Sequence, residues 1–296
     1  MTLAPRVVIV HRRTEFDEAV ARHGTPGQAA FFLRSRGQSI ADLEHRHTLN
    51  QAALTAVTAD VPVHWRRGRV ERRDLSRFSF EPEDVVVVVG QDGLVANVAK
   101  YLDDHPVIGI NPDPERNPGV LVPHSADTAG ALMRAAVDGH PDVECRTMVH
   151  AVTDDGQHLA AVNEIYVGHA GHQTGRYQLT LPDGRTEHQA SSGLIVATGT
   201  GATGWCRSIW GQCHSTMRLP APAEPRLSWF VREAWPSRVS GTTLTEGDLT
   251  HQGLVVAVES EALVAFGDGV DTDALQLSWG QRLTVGLAPS HLRLLR

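Results

Sequence analysis

Asp84-Val85-Val86-Val87-Val88-Val89-Gly90-Gln91-Asp92-Gly93 is the stretch on which the fold turns. Five consecutive valines, apolar toward both faces, fit a central strand of a parallel sheet covered on either side. A glycine-flanked turn follows, then a helical pattern over 94–102, then Pro106-Val107-Ile108-Gly109-Ile110 as another strand. Strand, helix and strand in that order make a βαβ unit, with its sharp turn at the carboxyl end of the first strand. Toward the N-terminus, 6–10 is a short β-branched run and therefore a buried strand. Ser39 is placed to cap a helix over 40–59, and Val61-Pro62-Val63-His64-Trp65 has the composition of a further strand.

Beyond the βαβ unit the character changes. Pro112, Pro114, Pro118 and Pro123 break the pattern, and Ser125 then opens a helix to about residue 137. After it come short strand signals at 143–152, 160–167, 177–181, 193–197, 254–259 and 263–266, interrupted by one helix over 201–210. This predicts an α/β N-terminal domain with a parallel sheet over 1–120, and a β-rich, sandwich-like domain over 121–277. The 296 residues suffice for two domains. A net charge of −7 disfavours a general nucleic-acid partner, and no apolar run is long enough for a membrane span. With no leader pattern near the first strand, the expected compartment is the cytoplasm. Three cysteines without CxxC spacing give neither a disulfide framework nor a thiolate metal site. Lys100 is the single lysine, so phosphate contacts must come from arginine, backbone amides and metal.

Three motifs carry chemistry. At Gly90-Gln91-Asp92-Gly93-Leu94, a glycine-flanked turn exposes backbone N–H groups at a helix N-terminus, where phosphate is favoured. A carboxylate there can coordinate magnesium or take a hydroxyl proton, or it can simply cap the helix. Asn163-Glu164 lies in the strand-like run 161–167, where neighbours point to opposite faces. An amide and a carboxylate suit ribose hydroxyls or a carboxamide, and a solvated strand edge is the plainer alternative. Ser191-Ser192-Gly193-Leu194-Ile195-Val196-Ala197-Thr198-Gly199-Thr200-Gly201-Ala202-Thr203-Gly204-Trp205 runs from a buried strand through small residues and hydroxyls into a helix. Such a loop admits a flat or phosphate-bearing ligand close to the backbone.

The order and spacing of these motifs resemble the NAD kinase family, whose marks are GGDGT, a strand-borne NE pair and a TPTGSTAY-like segment. The mitochondrial-type branch is the nearer likeness, through Val107-Ile108-Gly109-Ile110-Asn111-Pro112-Asp113-Pro114-Glu115-Arg116, the segment from Ser191 to Trp205, and Phe230-Val231-Arg232-Glu233. Leu43-Glu44-His45-Arg46-His47 and Asp268-Gly269 fit as well. The resemblance implies an NAD kinase/diacylglycerol kinase-like fold, with 278–296 returning to the first domain and a site in the crevice between the domains. It implies transfer of phosphate from ATP, with magnesium, to the adenosine ribose 2′-hydroxyl of NAD, and assembly as a dimer or tetramer. Asp92 would be the base, with Gly90, Gln91 and Gly93 shaping the phosphate turn. Asn111, Asn163, Glu164, Thr198, Thr200, Gly201, Thr203, Trp205 and Ser208 would line the NAD pocket. Gln91 and Leu94 stand where the family has glycine and threonine. A glutamine forced to positive φ would strain the donor turn by ~1–2 kcal/mol. A dinucleotide-binding pseudokinase with a closed donor site, or a kinase of another nucleoside-like metabolite, are the alternatives.

Overall fold

The computed structural model describes residues 4–139, 141–171 and 173–296. It divides into two units, Met1–Glu144 with Arg293–Arg296, and Cys145–Leu292. In the first unit β1 (Arg6–His11) is followed by α1 (Glu15–His23), α2 (Pro26–Arg34) and α3 (Ala41–Asp60). Then come β2 (Arg66–Glu71), β3 (Asp84–Val89), α4 (Asp92–Ala99), β4 (Pro106–Ile110) and α5 (Ala129–Val137). The strands lie in the order β2-β1-β3-β4, all parallel, and Arg293 and Leu294 add a further parallel pairing on β4.

Every residue of β3 is buried, as the valine run predicts for a strand covered on both faces. Val85, Val87 and Val89 share one core with Ile9, Ile108, Leu54 and Val57 of α3, and Met133 of α5. Asp84 opens β3 with no exposure at all, and Arg6 of β1 meets its two oxygens at 2.6 and 2.5 Å. A buried carboxylate needs such a partner, because an unpaired charge there is costly. The helix after Ser125 packs into this core, so 121–144 lies with the first unit rather than opening the second.

Two local expectations change. Residues 61–65 form a turn, with Trp65 N–H donating to the Pro62 carbonyl at 3.0 Å and Val63 almost fully exposed. The strand is the arginine-rich segment after it, an edge strand that alternates toward solvent and lacks an apolar signature. Helices α1 and α2 are additions, and α1 buries none of its residues.

In the second unit the strands are β5 (Val143–Thr153), β6 (His158–Ala161), β7 (Glu164–His169), β8 (Gly175–Thr180), β9 (Thr186–Ser191) and β10 (Gly193–Ala197). After α6 (Trp205–Gln212) come β11 (Leu227–Arg232), β12 (Glu246–Leu249), β13 (Leu254–Val258), β14 (Leu263–Gly267), β15 (Val270–Leu277) and β16 (Arg282–Leu295). One antiparallel sheet runs β12-β11-β10-β7-β14-β15. The other joins β16, β13, β8 and β9, with β5 and β6 attached. Tyr177, Leu179 and Val256 from one sheet share a core with Ile165, Val167, Val196 and Trp229 from the other, which makes a β-sandwich. No described helix is long and apolar enough to cross a membrane.

Candidate functional site

The predicted site residues fall in two groups, one in each unit. In the first unit Gly90, Gln91, Asp92 and Gly93 form the turn between β3 and α4, and Asn111 follows β4. Gln91 is the N-cap of α4 with φ −102° and ψ 165°, extended backbone that any residue adopts. The strain expected of a glutamine at this turn is therefore absent. A Cβ on Gly93 would meet nothing within 4 Å, so the space above the helix N-terminus is open.

Asp92 turns away from the helix. One carboxylate oxygen accepts the N–H groups of Leu121 and Val122 at 2.7 and 3.2 Å, and the other accepts that of Val120 at 3.1 Å. An ionised carboxylate offers about four acceptor directions. Three are filled by this backbone, leaving one on the oxygen bonded to Val120. The plain capping role does not occur: Gln91 is the N-cap, and the carboxylate of Asp92, the first residue of α4, is bonded to 120–122. The segment it grips is tightly folded: Gly119 has φ +68°, and a Cβ there would lie 2.5 Å from the Val122 carbonyl oxygen. Asn111 braces the same segment, donating to the Asn117 carbonyl at 2.8 Å and accepting from Asp113 N–H at 3.0 Å.

Around the turn lies a cleft that includes Arg12, Glu15, Arg46, Asn50, Gln91 and Asp113. Arg12 follows β1 and Gly90 follows β3. The strand order reverses between those two strands, and open parallel sheets bind ligands outside the carboxyl ends at that position. Thr14 fixes the wall after β1: its hydroxyl binds Asp17 at 2.8 Å and meets His47 Nδ1 of α3 at 2.9 Å. Sequence reasoning assigned no role to Arg12, Glu15 or Arg46. The signal present was the Leu43-to-His47 likeness, which brings Arg46 to the cleft.

In the second unit the run 161–167 is not one strand. It breaks at Val162 and Asn163, because their backbone is bonded elsewhere. Asp268 accepts both N–H groups, at 3.0 and 2.6 Å. Thr198 takes both carbonyls, through its hydroxyl to Val162 at 2.5 Å and its N–H to Asn163 at 2.9 Å. Asn163 thus sits on a bend rather than on a strand face opposite Glu164. The Thr198 hydroxyl also accepts from the N–H groups of Thr200 and Gly201 at 3.1 and 3.2 Å. A Cβ on Gly201 would come within 2.2 Å of the Asn163 carbonyl oxygen. Two predicted motifs, the Asn163-Glu164 pair and the Gly/Thr loop, are therefore brought into backbone contact, with Asp268 as the third component.

Glu164 is 9% exposed, and burial, helped by the charge of Asp268, raises its pKa to about 7. Trp205 stacks on Tyr166 with centroids 5.6 Å apart and carries the Arg232 guanidinium over its ring. Thr200 is buried, whereas Thr203 and Ser208 are exposed along the loop and α6. This group offers a carboxyl, an amide, two hydroxyls and an aromatic wall beside closely approached backbone, a set suited to a polyhydroxylated, partly flat ligand.

No protein-family model matches the chain. It is similar to the NAD kinase of Chlorobaculum tepidum, with 28% identity over 226 residues, covering 76% of this chain and 74% of that protein. The NAD kinase of Caldicellulosiruptor saccharolyticus is 24% identical over 246 residues, 82% of this chain and 86% of that protein. The mitochondrial NAD kinase 2 of Xenopus tropicalis is 24% identical over 269 residues, 69% of this chain and 63% of that protein, so the match spans under two thirds of the mitochondrial relative. Bacterial and mitochondrial relatives alike are NAD kinases, and these similarities, with the parallel α/β unit and the β-sandwich unit, support a likeness to the NAD kinase family.

Proposed function

We propose that the chain transfers the terminal phosphoryl group of ATP to the adenosine ribose 2′-hydroxyl of NAD, giving NADP. The observation that carries this reading is the carboxylate of Asp92, oriented by three backbone N–H groups with one acceptor direction left over. That direction suits the proton of an attacking hydroxyl, and phosphoryl transfer asks for little beyond positioning, a proton acceptor and charge stabilisation. Asn163, Glu164, Thr198, Thr200, Gly201, Thr203, Trp205 and Ser208 would hold the dinucleotide, with Asn111 bracing the Asp92 clamp.

Magnesium fits the donor set of the first unit. Asp113 brings a carboxylate to the cleft. That is the ligation expected of a partly hydrated magnesium held by one or two carboxylates and the substrate's phosphates. When bound there it would neutralise charge on the transferring phosphoryl group. Backbone strain gives the pseudokinase alternative no support, because Gln91 is extended, although its side chain still lines the cleft.

The test is direct: purified protein with NAD, magnesium and ATP, assayed for NADP. NADP formation supports the reading. Absence of product with ATP and with polyphosphate, in protein that still binds NAD, overturns it. Association into a dimer or tetramer belongs to the same reading, and a stable 32.1 kDa particle by light scattering would contradict it.

A further inference from the structure

We propose that Arg12 and Arg46 grip the terminal phosphates of the donor, and that Glu15 is a competing carboxylate that occupies Arg46 while the cleft is empty. The inference rests on the reading of the first unit as the donor's site, and it assigns residues and a regulation which that reading lacks.

The only lysine, Lys100, follows the C-terminal end of α4, the end remote from the Gly90-Gln91 turn. Any cationic side chain answering a polyphosphate at that turn must therefore be arginine. Among the residues lining the cleft, Arg12 and Arg46 are the two arginines. They come from different elements, Arg12 from the loop after β1 and Arg46 from α3. The Thr14–His47 contact ties these same two elements together at 2.9 Å. The two guanidiniums are thus carried on a braced frame at the point where the strand order reverses, which no single helix N-terminus would supply. Each guanidinium can meet phosphate oxygens with two parallel N–H groups, while the open N-terminus of α4 adds backbone donors.

The state of the two arginines differs. Arg12 makes no ion pair among the described residues, so its charge is available to a ligand. Arg46 lies 2.5 Å from a carboxylate oxygen of Glu15, in a pair whose members are 29% and 53% exposed. A solvated pair of that kind contributes little to stability and exchanges readily for a more highly charged anion. Glu15 is the first residue of α1, where a carboxylate is favoured by the helix dipole with or without Arg46. A triphosphate can therefore displace it without unfolding the helix. The exchange sets a threshold, since an anion of low charge competes poorly with Glu15.

Calorimetry of the full chain with magnesium tripolyphosphate, magnesium ATP and AMP tests this. Arg12→Ala and Arg46→Ala should each weaken tripolyphosphate and ATP binding by about tenfold or more, and Arg46→Lys should restore little, because the paired donors are lost. Glu15→Gln should tighten both ligands several-fold. AMP should bind weakly and respond little to any of the three. Melting temperature and NAD binding should stay at wild-type values in all variants, which separates ligand contact from folding. Wild-type affinity for tripolyphosphate in both alanine variants overturns the grip. Unchanged or weakened binding in Glu15→Gln overturns the competition. Wild-type protein that gives no heat with either polyphosphate at millimolar ligand overturns the whole. A chain that binds tripolyphosphate through these arginines yet forms no NADP would keep this inference and remove the proposed reaction.

Discussion

Asp92→Asn is the perturbation with most to reveal, because the proposed reaction adds a second task to the one the structure shows. As a proton acceptor it has one free direction; as a strut it holds three N–H groups of 120–122. Asparagine is nearly isosteric, but it presents one carbonyl oxygen and an NH2. Its oxygen can keep the Leu121 and Val122 bonds without the charge assistance. The NH2 must then face the Val120 N–H, donor against donor. Hydrogen bonds to a charged group are worth about 1.5–3 kcal/mol each. Losing one and weakening two, in a partly exposed setting, amounts to roughly 2–4 kcal/mol. At about 2–4 °C per kcal/mol for chains of 150–250 residues, the melting temperature should fall by roughly 5–15 °C. Turnover measured well below that temperature should fall about 10²–10⁴-fold if the proton acceptor is lost, while NAD affinity by calorimetry stays near wild type. A variant with wild-type melting refutes the strut. A variant with full turnover refutes the base. The two outcomes are independent, so each role stands or falls by its own measurement.

Gln91→Gly should lower the apparent KM for ATP by clearing a side chain from the cleft, but it should not raise the melting temperature, since Gln91 carries no backbone strain; a clear thermal gain would contradict the geometry. Gly201→Ala should destabilise the second unit by several kcal/mol and abolish NAD binding, because its methyl would collide with the Asn163 carbonyl. Gly93→Ala should melt no lower than wild type yet weaken ATP binding, since its methyl enters only open space; equal ATP affinity would remove that position from the site. Glu164 has a folded-state pKa near 7 against 4.5 unfolded, so the native state holds the extra proton between those values. Its contribution to stability is present below about pH 4.5 and is lost as pH rises toward 7. Melting curves from pH 5 to 7.5 should therefore fall more steeply for wild type than for Glu164→Gln, and parallel curves would refute the assignment.

The βαβ core was legible because its physics is local. A strand buried on both faces must be apolar throughout, and Val85 to Val89 say so without help from neighbours. The polar edge strand β2 was not legible, because an edge asks for no apolar pattern, and Val61 to Trp65 drew the assignment instead. Helix α1 was similarly silent in periodicity, since it buries nothing. Its Thr14–Asp17 capping box and the Thr25-Pro26 start of α2 were the available signals. Spacing singled out Asp92, Asn163, Glu164 and the Gly/Thr loop as candidates. It could not find the three-amide clamp on Asp92 or the bond from Asp268 to the 162–163 bend, which join residues 28 to 106 positions apart. Arg12 had no local mark at all, and Arg46 had only the Leu43-to-His47 likeness. Only the topology of the sheet brings them to one place.

The pairing of Arg293 and Leu294 with β4 has a bearing on how the protein is made. The first unit is interrupted in sequence, and the whole second unit must leave the ribosome before the last strand of the first can dock. Until then β4 presents an unpaired edge, flanked by the slot that Leu294 and Leu295 later fill with almost no exposure. The nascent chain therefore carries its aggregation-prone surface through the synthesis of about half its length, and a stall in the second unit leaves that edge uncovered. Expression trouble in variants of the second unit would then originate in the first.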